Sequence, residues 1–316
     1  VFWLLAGIFQ FKSFMYTHAI VTEVFAPAAK GQPSFIGGPM NTFADFYGRD
    51  LTLWNTLAAE IQVAIGLGLI LNRKTVKPAL LVSFAWALVV WWFGEGFGGL
   101  TSNTLPSPLM GAPGAVILYA LIGLLVYPTD KQDGISPADK GPLGDRGGLY
   151  AWSVLWVVSA GLWLTNVNRA PAATQEMIKG MAAASPHWLA KFQTSVAGHT
   201  DGHGMTIAVA LAAVSLAVAI GVWTPLLRPT ALAVGIVVSL AYWVFGQSLG
   251  GPFWAEGATD FNAGPLFVLL AVALFPIAQV AAVSLPTPFE EQSPRRADVM
   301  HPATPSGGVK SRDLGL

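Results

Sequence analysis

The chain has 316 residues, 53% of them hydrophobic and only 11% charged, with a mean hydropathy of +0.56 and no formal net charge. A soluble domain carries about 25% charged residues, so an ordinary soluble globule is excluded, and the balanced charge gives no electrostatic case for nucleic acid. Cysteine is absent, which removes disulfides, thiol redox chemistry, thiolate-held iron–sulfur clusters and covalent c-type haem.

In chain order, apolar runs of about 18 to 22 residues follow one another, the length that crosses a bilayer. They predict an all-α polytopic membrane protein with about eight transmembrane helices. The predicted spans are 2–22, 51–71, 76–94, 113–128, 149–166, 204–224, 228–246 and 263–284. The first run is apolar from Phe2 with no basic segment ahead of it, so a signal peptide is not expected there. A short basic turn with Arg73, Lys74 and Lys77 separates the second and third runs. Placing it in the cytoplasm also puts Lys131, Lys140, Arg146, Arg228, Arg295, Arg296, Lys310 and Arg312 there, which leaves only Lys30, Arg49, Arg169, Lys179 and Lys191 outside. Both termini are then cytoplasmic. The outer connections 25–50 and 167–203 are long and partly apolar, as short helices lying on the outer leaflet would be. Residues 129–148 form a polar cytoplasmic linker, and 285–316 a polar tail rich in Pro, Ser and Gly that is expected to be disordered.

One stretch occurs twice. Trp91-Trp92-Phe93-Gly94-Glu95-Gly96-Phe97-Gly98-Gly99 has its counterpart in Tyr242-Trp243-Val244-Phe245-Gly246-Gln247-Ser248-Leu249-Gly250-Gly251. Each follows an apolar run and precedes a loop and another apolar run ending in proline. With these aligned, Val63–Gly66 meets Val218–Gly221 and Lys77-Pro78 meets Arg228-Pro229. The chain therefore reads as two parallel four-helix repeats, 1–128 and 149–284, with four spans each and the same orientation. In this register Glu60 stands opposite Ser215.

Few polar residues could carry chemistry. Glu60 lies deep in the second span, where an ionisable group is costly unless paired or neutralised; it reads either as a buried proton-handling group or as a protonated tie between helices. Glu95 and Gln247 occupy the matched place in the Gly-rich stretch. With Trp92 and Trp243 they form a candidate outer-face pocket, the alternative being close helix packing around small residues and an aromatic belt. Asp260 and Asn262 are suited to capping the last span. His199, Asp201 and His203 open the sixth span; if helical, the two imidazoles share a face and suit a divalent metal, the alternative being solvated residues at a helix start. His18, one turn from Met15, is a conceivable haem ligand or an interfacial histidine.

The first half resembles the DoxX/DoxD-like membrane family. The likeness rests on the aromatic opening span (Trp3, Gly7, Phe9, Lys12), a Pro- and Phe-containing loop, Glu60 ahead of Gly66-Leu67-Gly68-Leu69, and the basic turn. It covers about 2–128 and, more weakly, 149–284, where Ser215 replaces the acid. The resemblance implies a four-helix bundle per half, in a bacterial inner membrane. It also implies a subunit of a respiratory or redox assembly that shapes a quinone or lipid site near the extracytoplasmic face, with other subunits as partners and Glu60 as the acidic residue. The alternatives from the residues themselves are a small-molecule or metal transporter, with its substrate between the repeats, and a structural scaffold subunit.

Overall fold

The computed structural model describes residues 1–103, 106–131 and 134–276. The polar tail 285–316 and the end of the last predicted span lie outside the described residues. Every regular element among the described residues is helical. The helices of eight residues or more are α1 (Phe2–Phe9), α2 (Ser34–Gly48), α3 (Leu51–Leu71), α4 (Arg73–Phe93), α5 (Ala115–Leu125), α6 (Gly144–Trp163), α7 (Ala173–Ala183), α8 (His187–Thr200), α9 (Gly204–Gly221), α10 (Arg228–Phe245) and α11 (Ala263–Leu274).

Four of them, α3, α4, α9 and α10, are long and apolar enough to cross a membrane. Helix α6 has 20 residues. The predicted spans at 2–22, 113–128 and 263–284 are instead built around shorter helices, α1, α5 and α11. At about 1.5 Å per residue, α5 and α11 reach only part of the way across a hydrocarbon core of about 30 Å. Their limits have local causes. Past Phe9 the chain tightens, with the Phe11 and Lys12 amides on the Ile8 and Phe9 carbonyls, and the Asn55 side chain takes the Gln10 carbonyl (2.9 Å). Helices α5 and α11 end ahead of Tyr127-Pro128 and Phe275-Pro276, since proline cannot continue a helix.

Helix starts follow side-chain caps. Asp50 accepts the Leu53 amide before α3, Asn72 accepts the Lys74 amide before α4, and Asn262 accepts the Ala263 amide before α11. The last of these is the cap expected for the final span.

Helices pack in the same order in both halves. In the first, α1 lies on α3, α3 on α4, and α4 on α5; in the second, α6 lies on α9, α9 on α10, and α10 on α11. Helix α11 also packs on α5, joining the halves. Buried positions recur at the same spacing. Trp3, Ala6 and Gly7 of α1 and Gln10 just past it are matched by Trp156, Ser159, Ala160 and Trp163 of α6. Ala59, Gln62, Ile65 and Gly66 of α3 are matched by Ala212, Ser215, Val218 and Ala219 of α9. A Cβ at Gly68 would press on the Ala79 methyl, and one at Gly221 on the Ala231 methyl, so both hairpins close at the same place. This register differs by two residues from the one the α3 and α9 sequences suggest. Ser215 falls opposite Gln62, not Glu60, because burial follows helix phase while Gly and Val recur too often to set a register.

Candidate functional site

The Gly-rich stretches form the same turn twice. Gly96, Phe97, Gly98 and Gly99 take φ values of 53°, 56°, 62° and 77°, and Ser248, Leu249, Gly250 and Gly251 take 50°, 56°, 80° and 76°. Four successive left-handed residues make a strained turn, since each non-glycine member costs about 1–2 kcal/mol. Glycine is required at positions 98 and 250 for a second reason: a Cβ there would strike the backbone of Pro113 or Phe261. The turn is pinned identically in both halves. Trp91 Nε1 donates to the Pro113 carbonyl and Trp243 Nε1 to the Phe261 carbonyl, each at 2.7 Å. Glu95 Oε1 accepts the Ala115 and Val116 amides (3.1 Å each) at the start of α5, and Gln247 Oε1 accepts the Gly264 amide (2.9 Å) at the start of α11.

Beyond this shared frame the halves diverge. The first encloses a cavity of about 300 Å³. Its polar lining includes Gln10, Tyr47, Gln62, Glu95, Tyr119, Thr259, Asp260 and Asn262, with Trp86 adding a buried indole N–H that has no partner among the described residues. Its outer wall is aromatic: Phe25, Phe43 and Tyr47 have ring centroids 5.1–5.7 Å apart, and Phe43 stacks on Phe93 at 4.6 Å. Phe25 closes a π-helical turn, Ile20–Phe25, a distortion that recurs at functional sites. In the second half the corresponding space is about 10 Å³. Trp163 stands where Gln10 stands in the first half, fully buried, with its Nε1 donating to the Tyr242 hydroxyl (2.8 Å).

Loops cross between the halves. Residues 250–262 of the second half cover the first-half cavity and supply Asp260, while Pro108 and Ala112 of the first half line the closed counterpart. The covering loop is fastened by Lys12, whose ammonium donates to the Pro252, Ala255 and Ala258 carbonyls at 2.6–2.9 Å. A separate space of about 280 Å³ with mostly apolar lining shares Trp3 and Tyr119 with the polar cavity.

Burial pushes the Glu95 carboxyl up to about 8, and the nearby Asp260 charge adds to the shift against the two amides. Asp260 is raised by the same burial, with one oxygen accepting the Asn262 amide (2.6 Å). Both residues line the cavity. Gln62 is the third notable group: it is 7% exposed, lines the cavity and has no hydrogen-bond partner among the described residues. Gln10 and Tyr47 are held instead by Asn55, at 2.7 and 3.2 Å to its Oδ1.

The residues singled out from sequence scatter differently. Glu60 is exposed on the outward side of α3, so it is not the buried proton-handling group expected. It lies two residues from Gln62, and roughly 100° of rotation per residue carries it to the opposite face. Glu95 and Gln247 face two separate spaces, not one mouth. Trp92 lies outside the cavity, stacked on Phe93 at 5.0 Å, and Trp243 packs on Gly264. His199, Asp201 and His203 are exposed and share no helix face, because α8 ends at Thr200 and α9 begins at Gly204. Each imidazole Nδ1 contacts its own backbone carbonyl, Ser195 for His199 and Asp201 for His203. Among the described residues no group of three His, Cys, Asp or Glu is placed to hold a metal ion. His18 is exposed, while Met15 is buried.

Set against protein-family models, curated proteins and solved structures, the chain matches none of them. The arrangement itself is therefore the guide. Sequence alone reads Asp260 as a cap; its convergence with Glu95 and Gln62 on one cavity marks it as more.

Proposed function

We propose that this is a multi-pass membrane protein, built from a duplicated four-helix unit, that binds a small molecule in the first-half cavity and carries it across the bilayer. The observation that carries this reading is the convergence of Glu95 from one half and Asp260 from the other on a single cavity with aromatic walls. A site between the halves is what a carrier needs, since relative movement of the halves would change its access. The duplication is supported by the recurrent burial spacing and by the paired turns. The second half then serves as a closed frame that holds the loop over the site.

The test is to copy the closed half into the open one. Gln10→Trp with Val90→Tyr reproduces the Trp163–Tyr242 pair, and Asn55 keeps its bond to the residue 10 carbonyl. The expected outcome is that wild-type protein in lipid nanodiscs retains small molecules extractable by organic solvent, while the folded double variant retains none. Equal retention by both would sink the reading.

The redox-subunit reading that the DoxX/DoxD resemblance implies is supported by a different observation, the apolar space beside the polar cavity. A ligand with a polar ring and an apolar tail, such as a quinone, would use both. Recovery of a quinone from the nanodisc extract would favour it. Partner subunits are supported by Glu60: a carboxyl at the bilayer centre costs about 3 kcal/mol when unrelieved, and a donor from a neighbouring membrane chain would relieve it.

A further inference from the structure

The lining of the cavity specifies its occupant more closely than size alone. Glu95 and Asp260 both open onto it, and neither has a cationic partner there: among the described residues, no Lys, Arg or His lines the space. The Lys12 ammonium, which fastens the loop over the cavity, is occupied by three loop carbonyls. Capping does not explain the charge at position 95, because Gln247 caps α11 at the matched place with a neutral amide. A buried acid costs more than a buried amide unless something compensates it. Gln62 adds an amide with no hydrogen-bond partner among the described residues at the same cavity. The remaining wall mixes aliphatic side chains with the rings of Trp3, Phe25, Phe43, Trp86 and Phe93, and ring faces attract cations most strongly where water is excluded.

We propose that the first-half cavity takes a small organic cation, a protonated or quaternary amine, with Glu95 and Asp260 as its counter-charge, Gln62 as a polar contact and the Phe25, Phe43 and Tyr47 rings as its cage. A hard metal ion fits less well: it wants about six or more oxygen ligands, and the walls here are mostly hydrocarbon. The cation enters as Glu95 releases its proton to solvent, so bound charge and proton exchange one for one. The groups that bear on that titration are Asp260, in the same cavity, and the Tyr119 hydroxyl; Tyr47 lines the outer wall. Burial and Asp260 place the Glu95 titration at about 8, where such an exchange responds to ordinary changes in pH.

This inference rests on the ligand-binding reading of the same cavity, and the experiment separates the two. The intact protein in nanodiscs is titrated with phenyltrimethylammonium and with its uncharged isostere tert-butylbenzene, each followed by tryptophan fluorescence. The cation is expected to bind, with affinity rising about tenfold per pH unit up to about pH 8 and then levelling. Glu95→Gln keeps the cap, as Gln247 does, and is expected to weaken the cation at least about tenfold and to flatten its pH profile. Asp260→Asn is expected to weaken it similarly and to leave the isostere unchanged. Should either variant fail to fold, the wild-type pH profile alone decides. Isostere binding as tight as the cation's, or a flat wild-type profile, overturns the cation inference and leaves the ligand-binding reading standing. Binding of neither probe, together with equal retention by wild type and the Gln10→Trp/Val90→Tyr variant, overturns both.

Discussion

The two halves share one frame and put it to opposite uses. Each has a left-handed Gly-rich turn, a tryptophan bonded to the carbonyl ahead of the next helix, and a carboxyl or amide bonded to that helix's first amides. Around that frame the first half places Gln10, Gln62 and Glu95 and keeps about 300 Å³ open, while the second places Trp163, Ser215 and Gln247 and leaves about 10 Å³. The polar groups also differ in satisfaction. Ser215 meets Ser159 at 3.5 Å, whereas Gln62 at the matched position has no hydrogen-bond partner among the described residues. The second half shows that the same frame can be built with its interior filled.

Opening the closed half should have the largest effect on stability. Trp163→Ala removes a fully buried ring and the donor to Tyr242, and should cost about 3–5 kcal/mol, read as a fall in the denaturation midpoint in mild detergent. The same change in the first half has no counterpart, since Gln10 already leaves the space open. A loss below about 1 kcal/mol would mean that the second half does not depend on being filled, and the contrast between halves would fail.

Freeing the covering loop should come next. Lys12→Met removes three charge-assisted hydrogen bonds to the loop; bonds to charged groups contribute about 1.5–3 kcal/mol each when buried, and less here because Lys12 is partly exposed. The expected sign is faster protease cleavage within 251–262, with the matched first-half loop unaffected. Equal cleavage of both loops would remove the case for a dedicated fastening.

The pH dependence of Glu95 tests the comparison in a third way. Its carboxyl titrates near 8 in the folded protein, against an ordinary value of 4.5. A raised value means that the folded state holds the proton more tightly, so stability is fully present below about 4.5 and declines as pH rises through about 8. Wild type should lose melting temperature over that window, and Glu95→Gln should lose less. Gln247→Glu in the second half would sharpen the comparison by introducing the same slope there. Parallel wild-type and Glu95→Gln curves would show that the carboxyl is not held in the protonated form.

Much of this was legible in the residues alone. The membrane class follows from composition, because a chain with 11% charge cannot cover itself for water. The repeated Gly-rich stretch was visible because a left-handed turn restricts residue choice at particular positions, and restricted positions leave a sequence trace. The pairing of Glu95 with Gln247 came from that same trace. What only the tertiary structure decided is which polar groups meet. Glu60 and Gln62 are two residues apart, and helix phase, set by packing of α3 on α1, turned one outward and the other into the cavity. Asp260 is 165 positions from Glu95 in the chain, by subtraction of their numbers, and reaches it because the second-half loop crosses over the first. Local spacing carries no record of such a crossing. It arises where α11 packs on α5, and it brings a residue that reads as a cap to the wall of the cavity.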